Sequence, residues 1–243
     1  MEQGQMNETM VDYGVSHLGV ILDGNRRFAK RLLLEPWNGH QYGAKKVKEL
    51  MRWASELGIK QLTLFCFSVE NFSRPKKEYE FLMKIFRDEF ADLKKDGSEV
   101  HKNKVKVNFI GRTHLFPQDV QDMMDELMES TKKYNDYQIN FAMAYGGRAE
   151  IVDAVRKLSS DIKTGSVKPE DIDEDMFKSY LYLEDDPQLI IRTSGEMRLS
   201  GFLLWQSAYS EFYFCKKFWP EFSREDLIDA LQSYSNRKRR FGR

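Results

Sequence analysis

The chain has only two cysteines in 243 residues, Cys66 and Cys215, and both sit among apolar and aromatic neighbours. That excludes a disulfide-stapled scaffold and leaves no thiolate cluster for a structural metal. The four histidines, His17, His40, His101 and His114, are scattered without zinc-like spacing. No apolar run is long enough to span a membrane. Charge of one sign is lacking too: 38 Lys and Arg stand against 38 Asp and Glu. With no global field to recruit nucleic acid or an anionic membrane, any basic site must be local. Neither a P-loop nor a GxGxxG fingerprint is present, which excludes the commonest nucleotide cradles. The N-terminal segment, residues 1–14, is polar and mildly acidic, unlike a secretory or Arg-rich transit peptide, so the expected compartment is the cytosol.

What is there is an alternation of strand-like and helix-like runs. "HLGVIL" ends at Asp23, and an amphipathic stretch follows from about Gly39 to Leu57, with Val47, Leu50, Met51 and Ala54 at helical spacing. "GIKQLTLFCFS", "KVKVNFIG", "YQINFAMAYGG" and "QLIIRTSGE" read as further strands, and "SEFYFC" as a sixth. Helices are expected over "KKEYEFLMKIFRDEFADLKK", "PQDVQDMMDELMESTKKY", "RAEIVDAVRKLSSDIKTG", "DIDEDMFKSYLY" and the segment from Ser223 onward. Strands alternating with helices predict one α/β domain, residues 15–243, around an open, mostly parallel sheet flanked by helices.

Ligands of open α/β sheets bind at the carboxyl ends of the strands. Here those ends carry "DGNRR", "SVENFSRP", "YGGR" and "RTSGEMRLSG". Gly24 permits a tight turn and close approach of a ligand. Arg26 and Arg27 can add charge-assisted bonds to phosphate, and Asp23 can hold Mg²⁺, a hard cation that takes few carboxylates plus phosphate oxygens. The plain alternative is an Asp-Gly turn with two solvated arginines. Arg192, Arg198 and Ser200 could clasp a second diphosphate, or belong to an ordinary polar loop. Ser68, Glu70, Asn71 and Arg74 form another polar turn, stopped by Pro75. Phe81, Phe86, Phe90, Phe141 and Met143 suit the wall of a ligand tunnel, but such stripes are more often core, and core is the first reading here.

Taken together and in order, "HLGVILDGNRRFAK", Gly39–His40, "LTLFCFSVENFSRP", "NFAMAYGGRAEI", "IIRTSGEMRLSGFLLWQSAYSEFYF", "WPEF" and "NRKRRFG" resemble the cis-prenyltransferases, the undecaprenyl diphosphate synthase-like enzymes, from about His17 to Gly242. The resemblance implies an apolar tunnel beside the sheet and a Mg²⁺-dependent condensation. Isopentenyl diphosphate is joined to an allylic prenyl diphosphate, giving a Z polyprenyl diphosphate. It also implies a homodimer without nucleic-acid partners, peripheral to a membrane only through its lipid product.

By position, the resemblance makes Asp23 the catalytic aspartate that handles metal and allylic diphosphate, with Gly24, Asn25, Arg26 and Arg27 as its cradle and His40 nearby. Asn71 and Arg74 match a loop that supports catalysis, with Ser68 and Glu70 beside them. Arg192, Arg198 and Ser200 match the isopentenyl diphosphate site. Glu211 matches a metal-binding carboxylate, in some members supplied by the neighbouring subunit. Arg240 and Gly242 match a C-terminal segment that reaches a neighbouring site. Arg26 and "RTSGE" are similar to the eukaryotic and archaeal branch. Pro36 stands near a position where bacterial members carry an arginine, a loss that Arg26 or Arg31 could offset, and Gly201 replaces a more usual Asn or Asp. Two other readings remain: an irregular prenyl condensation on the same fold, and a non-catalytic subunit of a heteromeric synthase. The presence of Asp23, Arg27, Arg192 and Arg198 argues against the second.

Overall fold

A computed structural model describes residues 12–237. Its six strands are β1 (His17–Ile21), β2 (Gln61–Ser68), β3 (Val105–Ile110), β4 (Tyr137–Tyr145), β5 (Leu189–Arg192) and β6 (Glu211–Phe214). They form one sheet in the order β3-β4-β2-β1-β5-β6, and every pairing is parallel. The mostly parallel sheet expected from the sequence is therefore wholly parallel. All five residues of β1 are buried, as suits an interior strand covered on both faces.

The helices are α1 (Asn25–Arg31), α2 (Gly39–Glu56), α3 (Lys76–Leu93), α4 (Glu99–Lys102), α5 (Gln118–Thr131), α6 (Gly147–Thr164), α7 (Glu174–Ser179) and α8 (Arg224–Ser235). The larger core packs the sheet against residues of α2, α3, α5 and α8, among them Leu50, Leu82, Met124 and Leu231. A smaller one, around Tyr145, Phe202 and Leu203, lies under the segment that follows β5. Among the described residues, no helix is long and apolar enough to cross a membrane.

Two helices depart from the sequence reading, the one-turn α4 and, with more consequence, α1. "DGNRR" reads as a turn, but the turn is confined to Gly24, and α1 begins at Asn25. Gly24 sits at φ +109 with its Cα against Phe218, where an added Cβ would lie 2.9 Å from that side chain. A left-handed residue in so little space must be glycine. The consequence is functional: neighbouring residues on a helix diverge by about 100°, so Arg26 and Arg27 face different partners.

The chain order sets the site. From β1 the chain moves to β2, β3 and β4 on one side, then crosses back to add β5 and β6 on the other. The carboxyl ends of β1 and β5 therefore flank the point where the winding reverses, the usual ligand crevice of an open α/β sheet.

A polar ladder runs across the same sheet. The Thr63 hydroxyl lies 2.8 Å from His17 Nε2 and accepts a 2.9 Å bond from Asn140, and Asn108 donates to Asn140 at 3.1 Å. Burial holds the His17 imidazole down to about 4, against weaker opposing effects of Asp185 and the Asp186 backbone. The folded protein thus resists a proton that the unfolded chain accepts. Stability from this group is complete above about pH 6.5, declines as pH falls from there toward 4, and loses about 3 kcal/mol in all. Denaturant unfolding at pH 7 and pH 4.5 should show this loss in the wild type and a smaller one in His17→Gln; equal losses would remove His17 as the cause.

Candidate active site

The interaction at the centre of the crevice joins β1 to β5. Ile21 pairs with Arg192 in register, so Asp23, two residues on, reaches the end of β5. Its Oδ2 accepts a 2.8 Å bond from the buried Arg192 guanidinium, and its Oδ1 lies 3.1 Å from Arg27, one helical turn ahead. The Asp23 backbone carbonyl accepts from the Thr193 hydroxyl at 2.7 Å and the Trp219 amide at 2.9 Å. Burial alone would raise the Asp23 carboxyl, but hydrogen bonds from Arg192 and Ser194, with the charges of Arg192 and Arg27, outweigh it and hold the group below its ordinary value. Asp23 is therefore ionised at neutral pH and available to a cation.

The loop after β5 wraps these arginines. Arg192 also donates to the Ser200 hydroxyl at 2.8 Å and to the Arg198 carbonyl. Arg27 donates to Ser194 at 2.6 Å and to Glu196 at 2.9 Å, and Arg198 reaches the other oxygen of Glu196 at 2.5 Å. Ser194 and Ser200 are held at φ 78 and φ 51, so this loop stores backbone strain where it meets the site. Gly201 sits at φ +80. Glycine suits that conformation, and Asn and Asp also tolerate it, so the backbone accepts this departure from the usual residue.

Below Asp23 lies a cavity of about 430 Å³. Its polar rim comprises Asp23, Asn25, His40, Ser68, Asn71, Arg74, Arg192, Arg198 and Ser200. Its interior is largely apolar, with Val47 and Met51 from α2, Leu82, Ile85, Phe86, Phe90 and Leu93 from α3, and Phe65, Phe67, Phe141 and Met143 from the sheet, while Lys48 and Glu89, paired at 2.7 Å, add a charged pair to the lining between α2 and α3. Cys66 also faces it, with burial pushing its thiol up to about 12. Phe86, Phe90, Phe141 and Met143 are core residues as well as cavity lining, because the cavity opens between sheet and helices within the core. The choice between core and tunnel was thus a false one for these four; Phe81 belongs to neither group.

Other sequence candidates fall elsewhere. Glu70 is exposed and outside the cavity. Arg31, near Pro36, pairs with Glu221 at 2.5 Å, lies over the rings of Phe28 and Phe218, and does not line the cavity. Glu211 starts β6, in register with Leu189 and three residues behind the strand end, where its carboxylate pairs with Arg237. One chain does not bring it to Asp23. Arg240 and Gly242 lie outside the described residues.

The sequence reading missed Glu78. It is 1% exposed in the first turn of α3, and its Oε1 lies 3.0 Å from Arg74, 3.2 Å from His40 and 3.7 Å from Arg26. The spacing from Arg74, four residues, was the available signal. Ser194 and Glu196 were also passed over, since nothing local shows that the loop folds back on Arg27. Among the described residues no three His, Cys, Asp or Glu side chains gather into a metal site. Mg²⁺ is commonly held by one or two carboxylates plus substrate phosphate oxygens. Asp23 alone at a cationic rim fits a metal that arrives with a diphosphate.

Comparison with known proteins identifies the family. The family described as "Putative undecaprenyl diphosphate synthase" matches residues 21–242, and the chain belongs to that family, the cis-prenyltransferases. It is 48% identical to the tritrans,polycis-undecaprenyl-diphosphate synthase (geranylgeranyl-diphosphate specific) of Methanopyrus kandleri, over 93% of this chain and 84% of that protein. It is 47% identical to the Methanocaldococcus jannaschii protein of the same name, over 93% and 82%. Among solved structures, lavandulyl diphosphate synthase from Lavandula x intermedia in complex with dimethylallyl diphosphate superposes with a TM-score of 0.88 at 36% identity, covering 96% of this chain and 100% of that one. A "probable undecaprenyl diphosphate synthase" from Campylobacter jejuni gives 0.78 at 29%, covering 94% and 99%.

The rim also depends on close helix packing. Asn25 donates to the Leu22 carbonyl at 3.3 Å. An added Cβ at Gly43 would stand 2.3 Å from Asn25 Oδ1. Gly43→Ala should displace Asn25 and cost about 1–3 kcal/mol, read as a lower thermal midpoint together with reduced activity. An unchanged midpoint and rate would show that Asn25 has room to move.

Proposed function

We propose that this enzyme condenses isopentenyl diphosphate with an allylic prenyl diphosphate to give a Z polyprenyl diphosphate, with Mg²⁺ as cofactor. The observation that carries the reading is a largely apolar cavity capped at one end by the Asp23 carboxylate and three arginines, Arg74, Arg192 and Arg198, with Arg27 paired to Asp23 behind them. A diphosphate ester with a hydrocarbon tail has the same distribution of charge and grease.

Asp23, Asn25, His40 and Arg74 form the allylic diphosphate site in this reading, with Arg27 beside them. Arg192, Arg198 and Ser200 form the second. Two anions share one crevice, and Arg192, between Asp23 and Ser200, touches both halves. As the allylic C–O bond breaks, negative charge grows on the departing diphosphate, where the arginines are already aimed. When bound, Mg²⁺ adds charge neutralisation on that leaving group. The carbocation forms over Phe65, Phe67, Phe141 and Met143, away from water. The alkene of isopentenyl diphosphate attacks it, and the proton then lost passes to the released diphosphate at the polar rim.

Geranylgeranyl diphosphate is the allylic partner suggested by the names of the archaeal relatives. Glu211, Arg240 and Gly242 serve the site through a second copy of the chain, and the product brings the enzyme to a membrane surface. The lining from Leu82 to Leu93, apolar but for Glu89, follows α3 for about 16 Å.

Purified protein given Mg²⁺, labelled isopentenyl diphosphate and geranyl, farnesyl or geranylgeranyl diphosphate should yield extended Z products. Chelation should abolish them, and Asp23→Ala should lower the rate at least ~10²-fold. Wild-type protein inactive with all three would sink the reading. Phe90→Ala, which removes a ring stacked on Phe86 at 5.9 Å, should shift products to longer chains at a cost of about 3 kcal/mol in stability; an unchanged product distribution would place the length limit elsewhere.

A further inference from the structure

Glu78 does not line the cavity, yet it touches residues that do. It stands behind His40 and Arg74, both of which face the cavity, while Arg26 reaches it from α1. All three contacts fall on one oxygen, Oε1. A carboxylate this buried is strongly destabilising if left unpaired, so it must keep some of these partners. With three of them it can release one.

The contacts are also in conflict. His40 Nε2 lies 3.2 Å from Glu78 Oε1 and 3.3 Å from the Arg74 guanidinium. A neutral imidazole nitrogen either donates or accepts. Burial, the largest influence, holds the His40 imidazole below its ordinary value. If Nε2 donates to Glu78, its N–H faces the N–H of Arg74; if it accepts from Arg74, its lone pair faces the carboxylate. Withdrawal of the Arg74 guanidinium resolves the conflict and leaves Nε2–H donating to Glu78. The Arg74 backbone is extended at φ −65, ψ 155 ahead of Pro75, a conformation that the proline enforces. The movement is therefore one of the side chain. The Arg74 side chain is 23% exposed and already at the rim, so its path to a bound anion is short.

We propose that Glu78 is a positioning residue that stands in for the allylic diphosphate in the substrate-free enzyme, holding Arg74 and His40 at the rim and yielding Arg74 to the substrate. This rests on the assignment of the allylic site above. Asp23 performs the matching service for Arg27 and Arg192, but Asp23 itself faces the ligand, whereas Glu78 stays behind the wall. Its carboxylate competes with the diphosphate for Arg74 and orients His40 throughout.

The test is Glu78→Gln in the full-length protein, with inorganic pyrophosphate as the calorimetric probe and steady-state kinetics alongside. Loss of the competing charge should tighten pyrophosphate binding roughly fivefold, while loss of orientation lowers kcat by ~10- to 100-fold. KM for the allylic substrate should fall together with kcat, the pattern of relieved ground-state competition. A merely structural role would weaken binding or leave KM alone. In an Arg74→Gln background the tightening should vanish, because the two effects share one partner. Should Glu78→Gln fail to fold, Glu78→Asp keeps the charge but withdraws it from Arg74, and should tighten pyrophosphate binding in the same direction. Wild-type protein that binds no pyrophosphate would overturn the site assignment itself. Wild-type protein that binds it, with neither folded variant binding it more tightly, would overturn the role of Glu78 alone.

Discussion

The Asp23–Arg192 pair is the contact on which the rest of the site depends. It spans β1 and β5 at the point where the chain reverses its winding, and both partners are fixed before any side chain is chosen. Ile21 and Arg192 are in register, and the Asp23 carbonyl is held from two sides by Thr193 and Trp219. Arg192 is only 4% exposed, so its charge is tolerable because Asp23, Ser200 and the Arg198 carbonyl meet its guanidinium. The same bonds pin the strained loop from Ser194 to Leu203. Together with the bonds from Arg27 to Ser194 and Glu196, that pair ties the loop to β1 and α1.

A second constraint is the separation of charge from grease. Asp23 and the arginines gather at the carboxyl edge of the sheet, and the volume between the sheet and the helices α2 and α3 is largely apolar, the Lys48–Glu89 pair being its charged exception. That division serves a reaction that separates charge in its transition state, since anion and carbocation need opposite surroundings. It also explains why cavity and core share residues. A hydrocarbon tail is chemically equivalent to the side chains around it, so Phe86, Phe90 and Phe141 pack against the sheet on one side and face the cavity on the other.

Much of the architecture was legible because it rests on local periodicity. The span expected for α2, from about Gly39 to Leu57, ends within one residue of the observed Gly39–Glu56, since its apolar spacing and the Gly58 break are both local. The six strands follow likewise from short apolar runs, most of them closed by Gly, Ser or Asp. Helix α1 was not legible, because "DGNRR" carries turn chemistry at Gly24 and has no apolar stripe long enough to reveal the helix behind it. In the site, Asp23, Arg192, Arg198 and Ser200 were visible from strand ends and motif order. Glu78 was not, because in sequence it is one more charge in "KKEYE".

By itself the sequence determined the alternating elements, the polar strand ends and the family, all of which are written in spacing and in residue order along one chain. Tertiary structure decided which of those residues meet. The strand order brought Asp23 to Arg192 across 169 residues, since pairing in a parallel sheet follows the crossovers and not the distance along the chain. It also split Arg26 from Arg27 and kept Glu211 away from Asp23. A buried carboxylate gains its meaning only from what encloses it, and for Glu78 the enclosure is built from α1, α2 and the turn before α3. These are three segments whose approach no local pattern encodes.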